Sequence, residues 1–251
     1  MTFILILAIS IFLPLSAFCY DGVVSQEGTC GETEADCYYY LYKDGHLEIS
    51  GTGEMTNYYP HNGFDAPWSS HVKSVNIEGI TSIGEWAFFL EDIEDVQMSD
   101  SVKTINHGAF EGISRLKNIT IPNSVEEIRA CAFCGTGITS LVIPENVSTV
   151  SDWIFGGIGS FGENSSIPQT VYCSESIIDQ CVTATNWKKE LGVSVNVIGY
   201  KQDGDKIFYN NKWYSSANDI SSDNHIKKRI YTVDEASRVS GTKNSFKIRY
   251  K

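Results

Sequence analysis

Apolar and polar positions alternate in a pattern that repeats through the middle of the chain. Four segments share it: VKSVNIEGITSIGEWAFF, IEDVQMSDSVKTINHGAFEG, LKNITIPNSVEEIRACAFCG and ITSLVIPENVSTVSDWIFGG. Each opens with two apolar residues two apart, Val75/Ile77, Val96/Met98, Ile119/Ile121 and Leu141/Ile143. Period two predicts a short half-buried strand near 74–77, 95–98, 118–121 and 140–143. Ile80, Val102, Val125 and Val147 follow, then Ile83, Ile105, Ile128 and Val150 three positions later. Five beyond these stand Phe88, Phe110, Phe133 and Phe155, at spacings of 22, 23 and 22 residues. Ala87, Ala109 and Ala132 precede the first three rings, and Ile154 precedes the fourth.

A unit of this length cannot bury its own apolar face, so successive units must stack into a coil. Each turn then gives one strand to a parallel sheet and returns through a tight apolar arc. The phenylalanines form a ladder inside, with small alanines making room for the rings. These aromatics are core residues and not the lining of a cofactor site.

The segments IPNSVEEIRACAF and SVKTINHGAFEG resemble the BspA-like leucine-rich repeats of bacterial and protist surface antigens. The stretch GTCGETEADCYYYLYKDGHLEISGTGEM, with Ala66-Pro67-Trp68 after it, resembles the region that often precedes such repeats. The fourth copy departs from the pattern, with Trp153-Ile154 where an alanine is expected. The resemblance covers about residues 28–200. It implies an α/β-type repeat solenoid, a parallel β-sheet with short arcs, and adhesion or host-surface interaction as function.

Both ends of a solenoid need covering. Residues 38–50 predict a β-hairpin cap, because Asp44-Gly45 separates YYYLY from HLEIS and Asp-Gly between strand-like runs marks a hairpin turn. At the other end, IPQTVYC reads as a strand, SIIDQCVTATNWKKEL as an amphipathic helix and VSVNVIG as a closing strand. The expected organisation is a signal peptide over 1–19, an N-terminal β cap over 20–70, repeats over 71–166, a C-terminal cap over 167–199 and a small basic module over 200–251. The last contains strand-like aromatics and a short helix over Val233–Val239.

The N-terminal assignment rests on an apolar run from Phe3 to Leu15 followed by small residues Ala17 and Cys19, the shape of an h-region and cleavage site. Without Cys19, six cysteines remain in three close pairs, Cys30/Cys37, Cys131/Cys134 and Cys173/Cys181. In an exported chain such pairs read as disulfides. For Cys131 and Cys134, which bracket the ladder residue Phe133, free thiols, other pairings and a redox or zinc pair stay open. Sequons at Asn118, Asn146 and Asn164 are glycosylation candidates.

Charge narrows the partners. Residues 201–251 carry a net +5 and the other 200 a net −17. The acidic body repels phosphate backbones, which excludes nucleic acid as the expected partner. No further apolar stretch is of membrane length, so no direct insertion of the mature chain is expected. No cofactor or metal is expected either. His46, His61, His71, His107 and His225 are scattered, and neither HExxH nor Gly-x-Ser-x-Gly occurs. Ser50-Gly51-Thr52-Gly53 lacks the lysine and the helix of a phosphate loop.

The export features, the varied polar residues at outward strand positions and what the resemblance implies together give the expectation of a secreted or surface binding protein with a protein or glycan ligand. An extracellular enzyme and a structural coat protein are the alternatives. The outward strand positions, Ser74, Asn76, Asp95, Gln97, Asn118, Thr120 and Ser140, form the candidate binding face.

Overall fold

A computed structural model describes residues 22–214 apart from 32, 34–35, 69–71, 156–169, 186–194, 204–205 and 210–211. The expected signal segment 1–19, His71, the Asn164 sequon, His225 and the Val233–Val239 helix lie outside the described residues.

Each repeat folds into one turn of a coil held by three rows of backbone hydrogen bonds. The first row is a sheet of strands Val24–Thr29 (β1), Cys37–Tyr42 (β2), His46–Gly51 (β3), Ser74–Glu78 (β4) and Asp95–Met98 (β6), in that order. Antiparallel β1–β2–β3 forms the hairpin cap, and β3 pairs with β4 in parallel, so the cap is also the first strand of the solenoid sheet. Gly45 makes the hairpin turn with a φ of 93°, which glycine adopts without steric cost.

The second row is the four-stranded parallel sheet of Ser82–Ile83 (β5), Thr104–Ile105 (β7), Glu127–Ile128 (β8) and Thr149–Val150 (β10). The third runs through the arcs, where Phe88 N–H donates to the Ala109 carbonyl (3.0 Å), Phe110 to Ala132 (2.9 Å) and Phe133 to Ile154 (2.8 Å).

The four phenylalanines are buried and face one another. Ring centroids are 5.3 Å apart from Phe88 to Phe110, 5.8 Å from Phe110 to Phe133 and 6.2 Å from Phe133 to Phe155. The first two pairs are stacked near-parallel and the third is tilted by 32°, at centroid separations typical of favourable aromatic pairs. Trp68 continues the column at its N-terminal end, 5.9 Å from Phe88, and its indole N–H donates to the Ala87 carbonyl (3.0 Å).

The far end is closed by Thr170–Ser174 (β11), helix Ile178–Thr185 (α1) and Asn196–Asp203 (β12). Strands β11 and β12 run parallel to Ser140–Val142 (β9), and the hairpin Lys206–Tyr209 (β13) and Lys212–Tyr214 (β14) extends this second five-stranded sheet. Gln180 of α1 takes the Val150 N–H (2.9 Å) and gives its own amide to the Ser148 carbonyl (3.1 Å). One side-chain amide thus occupies the last rung of the β5–β7–β8–β10 sheet.

The expected third strand is corrected by the structure. Ile119 and Ile121 are buried, as the alternation requires, but 118–121 pairs with neither β6 nor β9. The cause lies one position further on. Ser99 N–H donates to the Ile77 carbonyl (2.9 Å) and closes the rung between β4 and β6. The corresponding residues of the next two turns are Pro122 and Pro144. Proline has no N–H to give, so a rung is lost on both sides of the third turn. The solenoid sheet divides there, while β7 and β8 keep the coil continuous beneath it.

Candidate binding face

The outward residues line up in rows because the parallel register carries them from strand to strand. His46, Ser74 and Asp95 lie side by side, as do Glu48, Asn76 and Gln97. His46 Nδ1 lies 2.9 Å from Ser74 Oγ, the Tyr42 hydroxyl donates to Glu48 (3.0 Å), and Gln97 donates to Asp95 (3.2 Å). Tyr40 is opposite Glu48 in the hairpin, and burial followed by Glu27, Tyr38 and Glu48 raises its phenol.

Ser74, Asn76, Asp95 and Gln97 thus share one continuous surface. Tyr40, Tyr42, His46 and Glu48 adjoin it, and the sequence reading missed them because it treated the hairpin only as a cap. Their signal was present: the alternation of YYYLY and HLEIS has the same period as the repeat strands.

Asn118 and Thr120 are exposed, as expected of outward positions. With no rungs to draw them in, they line an open groove of about 370 Å3 together with Asp95, Val96, Gln97, Met98, Asp100, Ile119 and Pro122. Ser140 is half-buried and belongs to the second sheet, beyond the break. The Asn118 amide stands at the groove, open to solvent. Asn146 is also exposed, but its amide already donates to the Asn123 carbonyl (2.7 Å).

The arcs form another edge of the coil. Trp86 stacks edge-on to His107 at 4.7 Å and donates to Glu111 Oε2 (2.9 Å). Glu111 is buried, and desolvation raises its carboxyl above the usual range against the opposing pull of Trp86, His107 and His61. This contact ties one arc to the next.

Cys30 and Cys37 form a disulfide at the entry to the hairpin. Cys131, Cys134, Cys173 and Cys181 carry none in this structure, which departs from the expected Cys131–Cys134 and Cys173–Cys181 bonds. Cys173 and Cys181 do meet across β11 and α1: hydrogen bonding to Cys181, then burial, pushes the Cys173 thiol far up. Cys131 is partly exposed, whereas Cys134 is buried and directed at the Trp153 carbonyl (3.6 Å). Among the described residues no group of three or more His, Cys, Asp or Glu side chains is placed to hold a metal ion.

Residues 68–186 match the BspA type leucine rich repeat region in six copies. This region belongs to that repeat family. The six copies exceed the four segments read from spacing alone. No curated protein matches the chain. Among solved structures, a leucine-rich repeat protein from Eubacterium ventriosum is 26% identical over 61% of this chain and 45% of its own, with a TM-score of 0.43. One from Bacteroides ovatus is 21% identical, covering 55% and 45%, with a TM-score of 0.37. The pneumococcal vaccine antigen PcpA is 18% identical, covering 68% and 49%, with a TM-score of 0.40. The chain spans less than half the length of each of these proteins.

Proposed function

We propose that this repeat protein acts outside the cell and binds a protein or glycan ligand on the outer face of its divided sheet. The observation that carries this reading is the face itself. Rows of polar, mostly uncharged and varied side chains run across β3, β4 and β6, with an open groove at their end. Varied hydrogen-bonding groups on a rigid scaffold suit recognition, whereas self-assembly would favour a uniform surface. The export-like N-terminal pattern and the Cys30–Cys37 disulfide support an oxidising, extracellular setting. No helix of the described residues is long and apolar enough to cross a membrane.

The test is a binding screen of the purified chain against extracellular-matrix proteins and cell-surface glycans, repeated with Asn76→Arg and Gln97→Arg. Ligand binding that both variants abolish, with folding intact, supports the reading. Binding that neither variant disturbs refutes it. Glycopeptide mass spectrometry at Asn118 decides whether the groove end is open in the native protein, since a glycan there would cover it.

A further inference from the structure

We propose that the first arc and the loop packed against it form a second docking surface, which takes an apolar anchor flanked by arginine or lysine on a partner protein. It is built from arc and loop residues, none of which belongs to the outer sheet face.

Exposure marks the place. Six large apolar side chains are exposed among the described residues, and three of them, Tyr59, Phe64 and Leu90, stand together here at 41%, 50% and 55% exposure. The Tyr59 ring lies 5.8 Å from Trp86, and His61 lies 5.3 Å from Phe89, the neighbour of Leu90. Phe64 is tied to Tyr59 by two backbone hydrogen bonds (2.8 and 3.2 Å). A contiguous apolar patch on a soluble chain marks an interaction site, and aromatic side chains are enriched in the cores of protein interfaces.

The backbone gives an independent observation. Trp86 and Leu90 are left-handed, with φ of 50° and 58°. The equivalent positions of the next arc are Gly108 and Gly112, and the arc after that has Gly135 in the place of Leu90. A left-handed φ costs free energy in a residue that carries a Cβ. Trp86 recovers it inside the fold, against His107 and Glu111. Leu90, more than half exposed, does not recover it by burial. Its side chain lies across Gly112, where a Cβ would come within 2.4 Å of Leu90 Cδ2. The bare backbone of the next arc is what lets this leucine lie on the surface. Strain spent on a side chain that faces solvent points to a return on binding.

Charge selects the occupant. Residues 56–68 and 82–92, which supply the patch, include Asp65, Glu85, Glu91 and Asp92 and neither lysine nor arginine. Asp65 adjoins Phe64, and Glu85 adjoins Trp86. Arginine and lysine are attracted to ring faces and to carboxylates, and their alkyl stems cover apolar surface. The net −17 of residues 1–200 adds a long-range attraction for a basic partner. The same charge opposes a second copy of this chain and an anionic lipid surface. Leu90 gives a sugar neither a ring face nor a hydrogen bond, so a peptide segment fits better than a glycan.

The probe is a phage-displayed library of short random peptides, selected on the full chain. Selected peptides are then titrated by fluorescence anisotropy against the wild type and the variants Leu90→Gly, Phe64→Ser, Val23→Ser and Asn76→Arg. Val23 is an exposed apolar residue outside the patch, and Asn76 lies on the outer face. The expected sequences are enriched in arginine or lysine beside leucine or an aromatic residue. Their Kd should be at least about tenfold weaker for Leu90→Gly and Phe64→Ser, and unchanged for Val23→Ser and Asn76→Arg. Leu90→Gly should melt at or above the wild-type temperature, since it relieves the left-handed strain. A marked drop in that temperature makes Leu90 a packing residue and overturns the proposal. So does a selection that enriches no peptide, or only peptides without basic residues. Self-association of the wild type that Leu90→Gly abolishes overturns it in favour of a second copy. Peptides lost on Asn76→Arg but not on Leu90→Gly overturn it too, and leave the reading of the outer face intact.

Discussion

At the scale of single residues, the arcs hold backbone conformations that few side chains tolerate. The residue two before each ladder phenylalanine is left-handed: Trp86 (φ 50°), Gly108 (φ 60°), Cys131 (φ 56°) and Trp153 (φ 63°). A side chain in this region costs about 1–2 kcal/mol relative to glycine. Trp86 offsets that cost by its contacts with His107 and Glu111, but Cys131 is only partly buried. Cys131→Gly is therefore expected to raise stability by about 1 kcal/mol in denaturant titration; a loss of similar size would show that the thiol packs more than its exposure implies. Glu111 makes a second test. Burial raises its folded-state pKa, so stability is fully present below the ordinary carboxylate range and falls as pH rises through the raised value. Glu111→Gln should flatten that limb, stabilising the protein at neutral pH and converging with the wild type in acid. Parallel pH profiles for the two proteins would sink this account.

At the scale of elements, the aromatic column and the divided sheet have different strengths. Phe110 is fully buried between Phe88 and Phe133. Phe110→Ala is expected to cost about 3–5 kcal/mol, from lost burial and the cavity left in a close-packed interior. A cost below about 1 kcal/mol, measured by equilibrium unfolding, would mean the column does not carry the coil. The break in the sheet depends on much less, namely two missing N–H groups. Pro122→Val restores one of them, opposite Met98. The amide introduced at position 122 should then show slowed hydrogen exchange, and the groove should narrow. Free exchange at that amide would point to a cause other than proline. Stability is the poorer readout, since a rung worth about 1 kcal/mol is opposed by the greater freedom of the unfolded chain without proline.

At the scale of the whole molecule, the cysteines report how the ends are closed. Native-state alkylation should modify Cys131 first and leave Cys134, Cys173 and Cys181 protected, because those three are buried and the Cys173 thiolate is strongly disfavoured. Rapid labelling of Cys173 would contradict the packing of α1 against β11. On oxidation, peptide mapping should recover Cys173 joined to Cys181, the two thiols that already touch.

The coil and its core were legible in the sequence. Repetition at 22 or 23 residues tests one spacing several times over, and burial of Val75, Ile105 or Phe133 follows from period and hydrophobicity without knowledge of neighbours. The hairpin was legible as well, from a local turn signal at Asp44-Gly45. The strand at 118–121 was not. Its alternation is as good as that of its neighbours, but a rung needs a donor on one turn and an acceptor on another, and Pro122 withdraws a donor from a bond to Met98 24 positions away. The role of Gln180, the parallel pairing that joins His46 and Glu48 to the binding face, and the meeting of Cys173 with Cys181 are likewise relations between distant segments. Local pattern determined which side chains enter the coil. Register between turns, which only the folded chain possesses, decided where its sheet opens.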